Sequence, residues 1–152
     1  MQTKQQTLLH AVGEVSLIYT RKHITIPFSK ITSPDDAFTA FRSIFDRQTI
    51  EHKEYVYAMY LDRANTVLGY ALISSGGVSQ TVIDPKIVFQ YALKLNASGI
   101  ILAHNHPSGK LTPSAADKSI TDKIREAGKL MDIELLDHLI LSVDDYVSVC
   151  QN

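Results

Sequence analysis

One cysteine in 152 residues, Cys150, leaves no partner for an internal disulfide. Its isolation sets aside the small disulfide-stapled classes and fits a reducing compartment, so the cytoplasm is the expected location. It also excludes the nucleobase deaminases, whose metal site needs His-x-Glu with Pro-Cys-x-x-Cys. No His-Glu-x-x-His pattern occurs either, which removes the proteases built on that motif. No apolar run is long enough to span a bilayer, and the first twenty residues lack the basic head and apolar stretch of a secretory signal. A charge excess is missing too. Fifteen Lys plus Arg against 16 Asp plus Glu give −1, so broad attraction to nucleic-acid phosphates has little to draw on. Lys4, Arg21, Lys22 and Lys30 against Glu14 make residues 1–30 mildly basic, which reads as a solvated terminus rather than a nucleic-acid contact. Repeats and low-complexity linkers are absent. What is present, a 45% hydrophobic share in a chain of this size, describes a soluble globular protein able to bury roughly 68–70% of its unfolded surface.

Turn signals recur at intervals suited to short alternating elements. The period is two around Val15, Leu17 and Tyr19, predicting an N-terminal strand, with a second extended piece near Ile24 to Phe28. Ser33 and Pro34 then open a helix over 34–46, with Phe38, Phe41, Ile44 and Phe45 on one face. Two strands, Tyr55–Leu61 and Val67–Ser74, form a hairpin around Asp62–Asn65, closed by Gly76 and Gly77. Asp84 and Pro85 start a second helix that buries Ile87, Val88, Tyr91, Ala92 and Leu95 and ends at Asn96. The unbroken apolar run Gly99–Ala103 predicts a central strand buried on both faces. A third helix begins at Ser114 and turns Ile120, Ile124, Ala127 and Met131 inward, before strands near Ile133–Leu141 and Tyr146–Val149. The fold class is mixed α/β, with residues 1–30 as an extension carrying short strands and 31–152 as the main domain.

The chemistry is concentrated in HNHPSGKLTPSAAD, residues 104–117. His104 and His106, two apart beyond a buried strand, project to the same side, and imidazole nitrogen is a good zinc ligand. Asp117 falls in the first turn of the third helix, where side chains lean toward the helix N-terminus, so its carboxylate points back at the two histidines. Two His and one carboxylate leave a fourth tetrahedral position open, the layout of a catalytic zinc rather than a structural one. Taken alone, Ser114-x-x-Asp117 is a capping box with Asp in place of Glu, and two histidines in a Pro/Gly loop are ordinary surface residues. Their combination at this spacing turns the reading to metal.

These residues match the JAMM metalloprotease motif of the MPN fold: His-x-His, seven residues, Ser, two residues, Asp. The wider text LNASGIILAHNHPSGKLTPSAADKSIT, with the later LLDHLIL, resembles the RadC-like branch of that group, bacterial proteins with a DNA-repair label. The similarity covers about residues 35–150. It implies a JAB/MPN, cytidine-deaminase-like three-layer fold, a Zn²⁺ ion and hydrolysis of a peptide or isopeptide bond by a zinc-activated water. Fuller RadC-like proteins carry an N-terminal helix-hairpin-helix module, and the stretch before Ile31 is too short for one. Asn105 stands where the peptidases have Ser or Thr but is usual in the RadC-like branch. The segment Asp84-Pro85-Lys86-Ile87 replaces that branch's common Pro-Arg-Glu.

The JAMM pattern also places a Glu upstream of the histidines, and Glu51 and Glu54 are the candidates. The RadC-like pattern puts it immediately before the strand ending in Leu-Asp, which is Glu54. A carboxylate anchored by a strand also holds hydrogen-bond reach to a metal water better than one in the polar 48–53 connection. Ser114 could donate a hydrogen bond to the developing oxyanion. His138 reads as a packed sheet residue paired with Asp137, or as a residue supporting the metal ligands. His10, His23 and His52 have no metal-ligand context. The rival functions are a metal-binding interaction module without turnover and a DNA-repair-associated protein, which would bind nucleic acid in a salt-sensitive way.

Overall fold

The computed structural model describes residues 12–20, 25–27, 29–77 and 81–151. Among these, helix α1 (Pro34–Arg42) begins where the Ser33 hydroxyl accepts the Asp36 N–H and the Asp36 carboxylate accepts the Ser33 N–H. That reciprocal cap, with proline in the first turn, fixes the start of the helix. Its end falls short of the expected residue 46. The Ile44 N–H turns to the carbonyl of Phe41, three residues back, at 2.8 Å, and Asp46 opens a new turn by accepting the Gln48 N–H. Phe45 still packs inward, because a tightened turn preserves the apolar face that the sequence pattern detects.

Strands β1 (Tyr55–Leu61) and β2 (Val67–Ser75) form the expected hairpin. Its turn is held by the Asp62 carboxylate, which accepts the N–H groups of Ala64 and Thr66. Asp84 caps α2 (Pro85–Lys94), β3 (Gly99–Asn105) follows, and Ser114 caps α3 (Ala115–Leu130). The chain closes with β4 (Glu134–Leu141) and β5 (Tyr146–Ser148).

The five strands form one mixed sheet in the order β2-β1-β3-β4-β5. The central strand β3 is antiparallel to β1 and parallel to β4. Every residue of β3 is buried, as the unbroken apolar run requires of a strand covered on both faces. Alternation splits its side chains between two cores. Ile100 and Leu102 join Val56, Ala58 and Tyr60 beneath α2 and α3, whereas Ile101 and Ala103 join Met59 and Leu61 beneath α1. This α/β/α layering decides which face each site residue occupies. Helix α3 lies close to the chain entering β4: a Cβ on Gly128 would overlap the Ile133 carbonyl oxygen.

Several sequence expectations are corrected. Residues 12–20 form no strand and are exposed. The alternation of Val15, Leu17 and Tyr19 finds no strand partner, and Tyr19 is tied down by its hydroxyl, which donates to the Leu68 carbonyl at 3.1 Å. The strand-like pairing in the described part of the N-terminal extension is an isolated bridge, Lys30 to Thr66. The extended piece near 24–28 lies partly, and His10 and His23 wholly, outside the described residues. Tyr91 and Met131 face solvent rather than core. Phe89 takes the interior place on α2, and Met131 lies beyond the last turn of α3 as its C-cap. No helix among the described residues is long and apolar enough to cross a membrane.

Candidate metal centre

The strand register determines the site. In the β1–β3 pair Val56 stands opposite His104, so their side chains share the face covered by α2 and α3. Two residues before Val56, just ahead of β1, and two after His104, just past β3, Glu54 and His106 line the same cleft as His104. His104 is buried and His106 partly so. Gly109, with φ of 74°, sends its N–H back to the His106 carbonyl at 2.8 Å and tightens the loop that follows. The loop then delivers the Lys110 carbonyl to Nδ1 of His106 at 2.7 Å. A carbonyl only accepts, so Nδ1 carries a proton, and in the neutral ring Nε2 keeps its lone pair.

Asp117 closes the group from α3. One carboxylate oxygen accepts the Ser114 N–H at 2.7 Å, while the Asp117 N–H is bonded to Ser114 Oγ at 3.0 Å. The capping box is therefore real, and it aims the carboxylate rather than competing with a metal role. Asp117 Oδ1 lies 3.2 Å from His104 Nε2, Asp117 Oδ2 lies 3.5 Å from His106 Nε2, and the two Nε2 atoms are 3.0 Å apart. Ligands about 2.0–2.2 Å from a tetrahedral ion stand roughly 3.3–3.6 Å from one another. His104, His106 and Asp117 thus form a group that could hold a metal ion, in a spacing close to what an ion imposes.

Charge is distributed accordingly. Burial works against the ionised form of Asp117, but its contacts with His104 and His106 and with the Ser114 N–H outweigh it and hold the carboxyl far below the usual range. The bond to Asp117 raises the pKa of His106 against the opposing effect of burial. A positive charge is drawn to this point, whether proton or metal.

Glu54, Ser114 and the three candidate ligands line one cleft of about 420 Å³, bordered by Thr81–Ile83, Pro107 and Ser108. Glu54 is buried, and its backbone is pinned by the chain at Gly76 and Gly77. Burial pushes its carboxyl up, opposed by His104 and His106 and by the Thr81 N–H. Glu51 lies in an exposed turn and does not line the cleft. A larger hollow of about 590 Å³ opens at the other end of the sheet between Asp62–Asn65 and Gly128–Leu136. Among the described residues it is lined by no group of metal-ligating side chains like that of His104, His106 and Asp117, and Arg125 and Lys129 are paired with Asp122 and Glu126 on their own helix.

Three residues near the site escaped the sequence reading in whole or part. His138 does not pair its ring with Asp137, which accepts the His138 backbone N–H instead. The ring is fully buried, 2.8 Å from His104 Nδ1 and 2.7 Å from Thr121 Oγ1. Burial first, and the neighbouring His104 second, push its pKa down to about 3, so it is neutral at physiological pH. Thr121 gave no signal, being one of several polar residues on α3. Asn105, on the opposite face of β3, accepts the Tyr55 N–H at 2.8 Å and donates to the carbonyls of Ile50 and Lys53 at 2.5 and 2.9 Å.

The family model for the RadC-like JAB domain matches residues 31–152. The chain belongs to the RadC-like JAB family. The RadC-like chain is 43% identical over 123 residues to a UPF0758 protein of Flavobacterium johnsoniae, covering 81% of this chain and 52% of that protein. It is 41% identical over 118 residues to a UPF0758 protein of Aquifex aeolicus, covering 78% and 49%. With a UPF0758 protein of Geobacter sulfurreducens it shares 34% identity over 149 residues, 97% and 63% of the two chains. The chain spans about half the length of the first two relatives. The five-stranded mixed sheet with helices on both faces is consistent with the JAB/MPN fold.

Proposed function

We propose that this RadC-like JAB domain is a zinc-dependent hydrolase of the JAMM type, cleaving a peptide or isopeptide bond. His104, His106 and Asp117 hold the ion, Glu54 is the general base and Ser114 the oxyanion donor. The supporting observation is the convergence of two imidazole nitrogens and a carboxylate on one point, with a second buried carboxylate, Glu54, facing the same cleft. A nitrogen-nitrogen-oxygen donor set with room beside it suits catalytic zinc.

When bound, zinc supplies a Lewis acid that polarises the scissile carbonyl and makes water acidic enough to attack near neutral pH. Glu54, buried at the strand entrance, takes one proton from the attacking water onto its carboxylate. The water oxygen bonds to the carbonyl carbon, and the proton passes to the leaving nitrogen as the C–N bond breaks. Ser114 spends a lone pair on the Asp117 N–H, which leaves its O–H free to donate to the carbonyl oxygen as charge develops there. Asp117, held ionised, remains a ligand and takes no part in proton transfer.

The test is a screen of metal-loaded protein against peptide and isopeptide libraries, with Glu54→Gln and Glu51→Gln in parallel. Turnover that falls by about two to four orders of magnitude in Glu54→Gln and persists in Glu51→Gln supports the reading. Zinc binding without turnover on any library points to an interaction module, and submicromolar DNA binding at physiological salt points to a repair-associated role.

A further inference from the structure

We infer that His138 and Thr121 are positioning residues that set the tautomer of His104, so that its Nε2 presents a lone pair to the metal. The inference rests on the hydrolase reading for its purpose but on hydrogen-bond logic for its content.

Three short contacts run in line behind His104: Nδ1 to His138 Nε2 at 2.8 Å, His138 Nδ1 to Thr121 Oγ1 at 2.7 Å, and Thr121 Oγ1 to the Asp117 carbonyl at 2.6 Å. Each needs one proton. The carbonyl can only accept, so the single hydroxyl proton of Thr121 is committed to it. If that proton turned to His138 instead, two bare oxygens would face each other at 2.6 Å. Thr121 must therefore accept, and His138 Nδ1 is the protonated nitrogen. The ring is fully buried with no carboxylate on either nitrogen and carries one proton only. His138 Nε2 is then bare and takes the proton of His104 Nδ1. In a neutral His104 ring the last consequence is a lone pair on Nε2.

His106 reaches the same state by the simpler route of the Lys110 carbonyl. In the neutral rings both inner nitrogens thus present lone pairs, and they face each other at 3.0 Å beside a carboxylate. Only a cation satisfies three converging acceptors. Asp117 serves at both ends, since its carbonyl anchors the relay and its carboxylate meets the nitrogen that the relay exposes. Partners that orient a ligating histidine through its outer nitrogen commonly change metal affinity by about 10–100-fold when lost.

The experiment pairs long-range proton–nitrogen NMR of the metal-free protein with zinc titration against a chromophoric chelator. Wild type is expected to show His104 protonated at Nδ1. His138→Leu, with melting temperature as the control for folding, should lose that tautomer and bind zinc about 10–100-fold more weakly. His138→Gln, whose amide oxygen can accept the Nδ1 proton, should restore both. Should His138→Leu fail to fold, Thr121→Val keeps the shape and removes the hydroxyl; it should leave His104 a mixture of tautomers, with Thr121→Ser behaving as wild type. A wild-type His104 protonated at Nε2, or folded variants with unchanged tautomer and zinc affinity, overturns the inference without touching the hydrolase reading. The stated tautomer in a wild-type protein that binds no zinc overturns the hydrolase reading and supports the relay.

Discussion

The Tyr55 N–H donates to the side-chain oxygen of Asn105 at 2.8 Å, across fifty residues of sequence. The Asn105 amide nitrogen donates to Ile50 and Lys53 at the same time, so one buried side chain grips the backbone on both sides of Glu54 from the far face of the sheet. Asn105→Ala would strip three backbone groups of their partner. At about 1–3 kcal/mol for each buried group left unsatisfied, partly relieved by water entering the loop, a total loss of roughly 2–4 kcal/mol is expected. Thermal unfolding checks this. The same variant should keep its metal, because no ligand is disturbed, while turnover falls through misplacement of Glu54.

Glu54 itself carries a stability cost in the metal-free protein. Its carboxyl is pushed above the ordinary value of 4.5, burial being the largest cause. For an acid whose folded pKa exceeds the unfolded one, the folded state holds its proton more tightly. Above both values the ionised group therefore penalises the fold, and the penalty disappears as pH falls through the folded pKa. Glu54→Gln should raise the melting temperature of metal-free protein at neutral pH. A carboxyl NMR titration of wild type should give a midpoint above 4.5 that moves down when zinc is added, since a nearby cation favours the carboxylate. An unshifted midpoint and an unchanged melting temperature would remove the buried-base assignment.

Gly128 tests the packing of α3 on the entrance to β4. On an open helix, Gly→Ala stabilises by about 0.8–1.0 kcal/mol. Here the added methyl would collide with the backbone oxygen of Ile133, which cannot swing aside as a side chain could. Gly128→Ala should instead destabilise by roughly 1–3 kcal/mol, the range for overpacking, and denaturant unfolding gives the sign directly.

The candidate site was legible in the sequence to the extent that its spacing is local. His104 stands near the end of a strand with His106 two residues on, and Asp117 sits three residues past a capping serine, so their proximity follows largely from local geometry. Glu54 needed the family pattern to be singled out, and the β1–β3 register then accounts for its place on the face of His104. His138 and Thr121 could not be read this way. Their contact with His104 depends on the parallel pairing of β3 with β4 and on the crossover of α3, which no local period records. The bulge opposite Ile100 and Ile101 shifts the β4 register by one residue, and a one-residue shift decides which face His138 occupies. The N-terminal strand failed for the complementary reason. Alternation at Val15, Leu17 and Tyr19 is a local signal, but a strand exists only where another strand accepts its hydrogen bonds.

The central claim is that His104, His106 and Asp117 hold a metal, and elemental analysis of the purified protein beside His106→Ala tests it most directly. About one zinc per chain is expected in wild type, and no stoichiometric metal in the variant. Full zinc retained by His106→Ala, or none taken up by wild type after zinc loading, would contradict it.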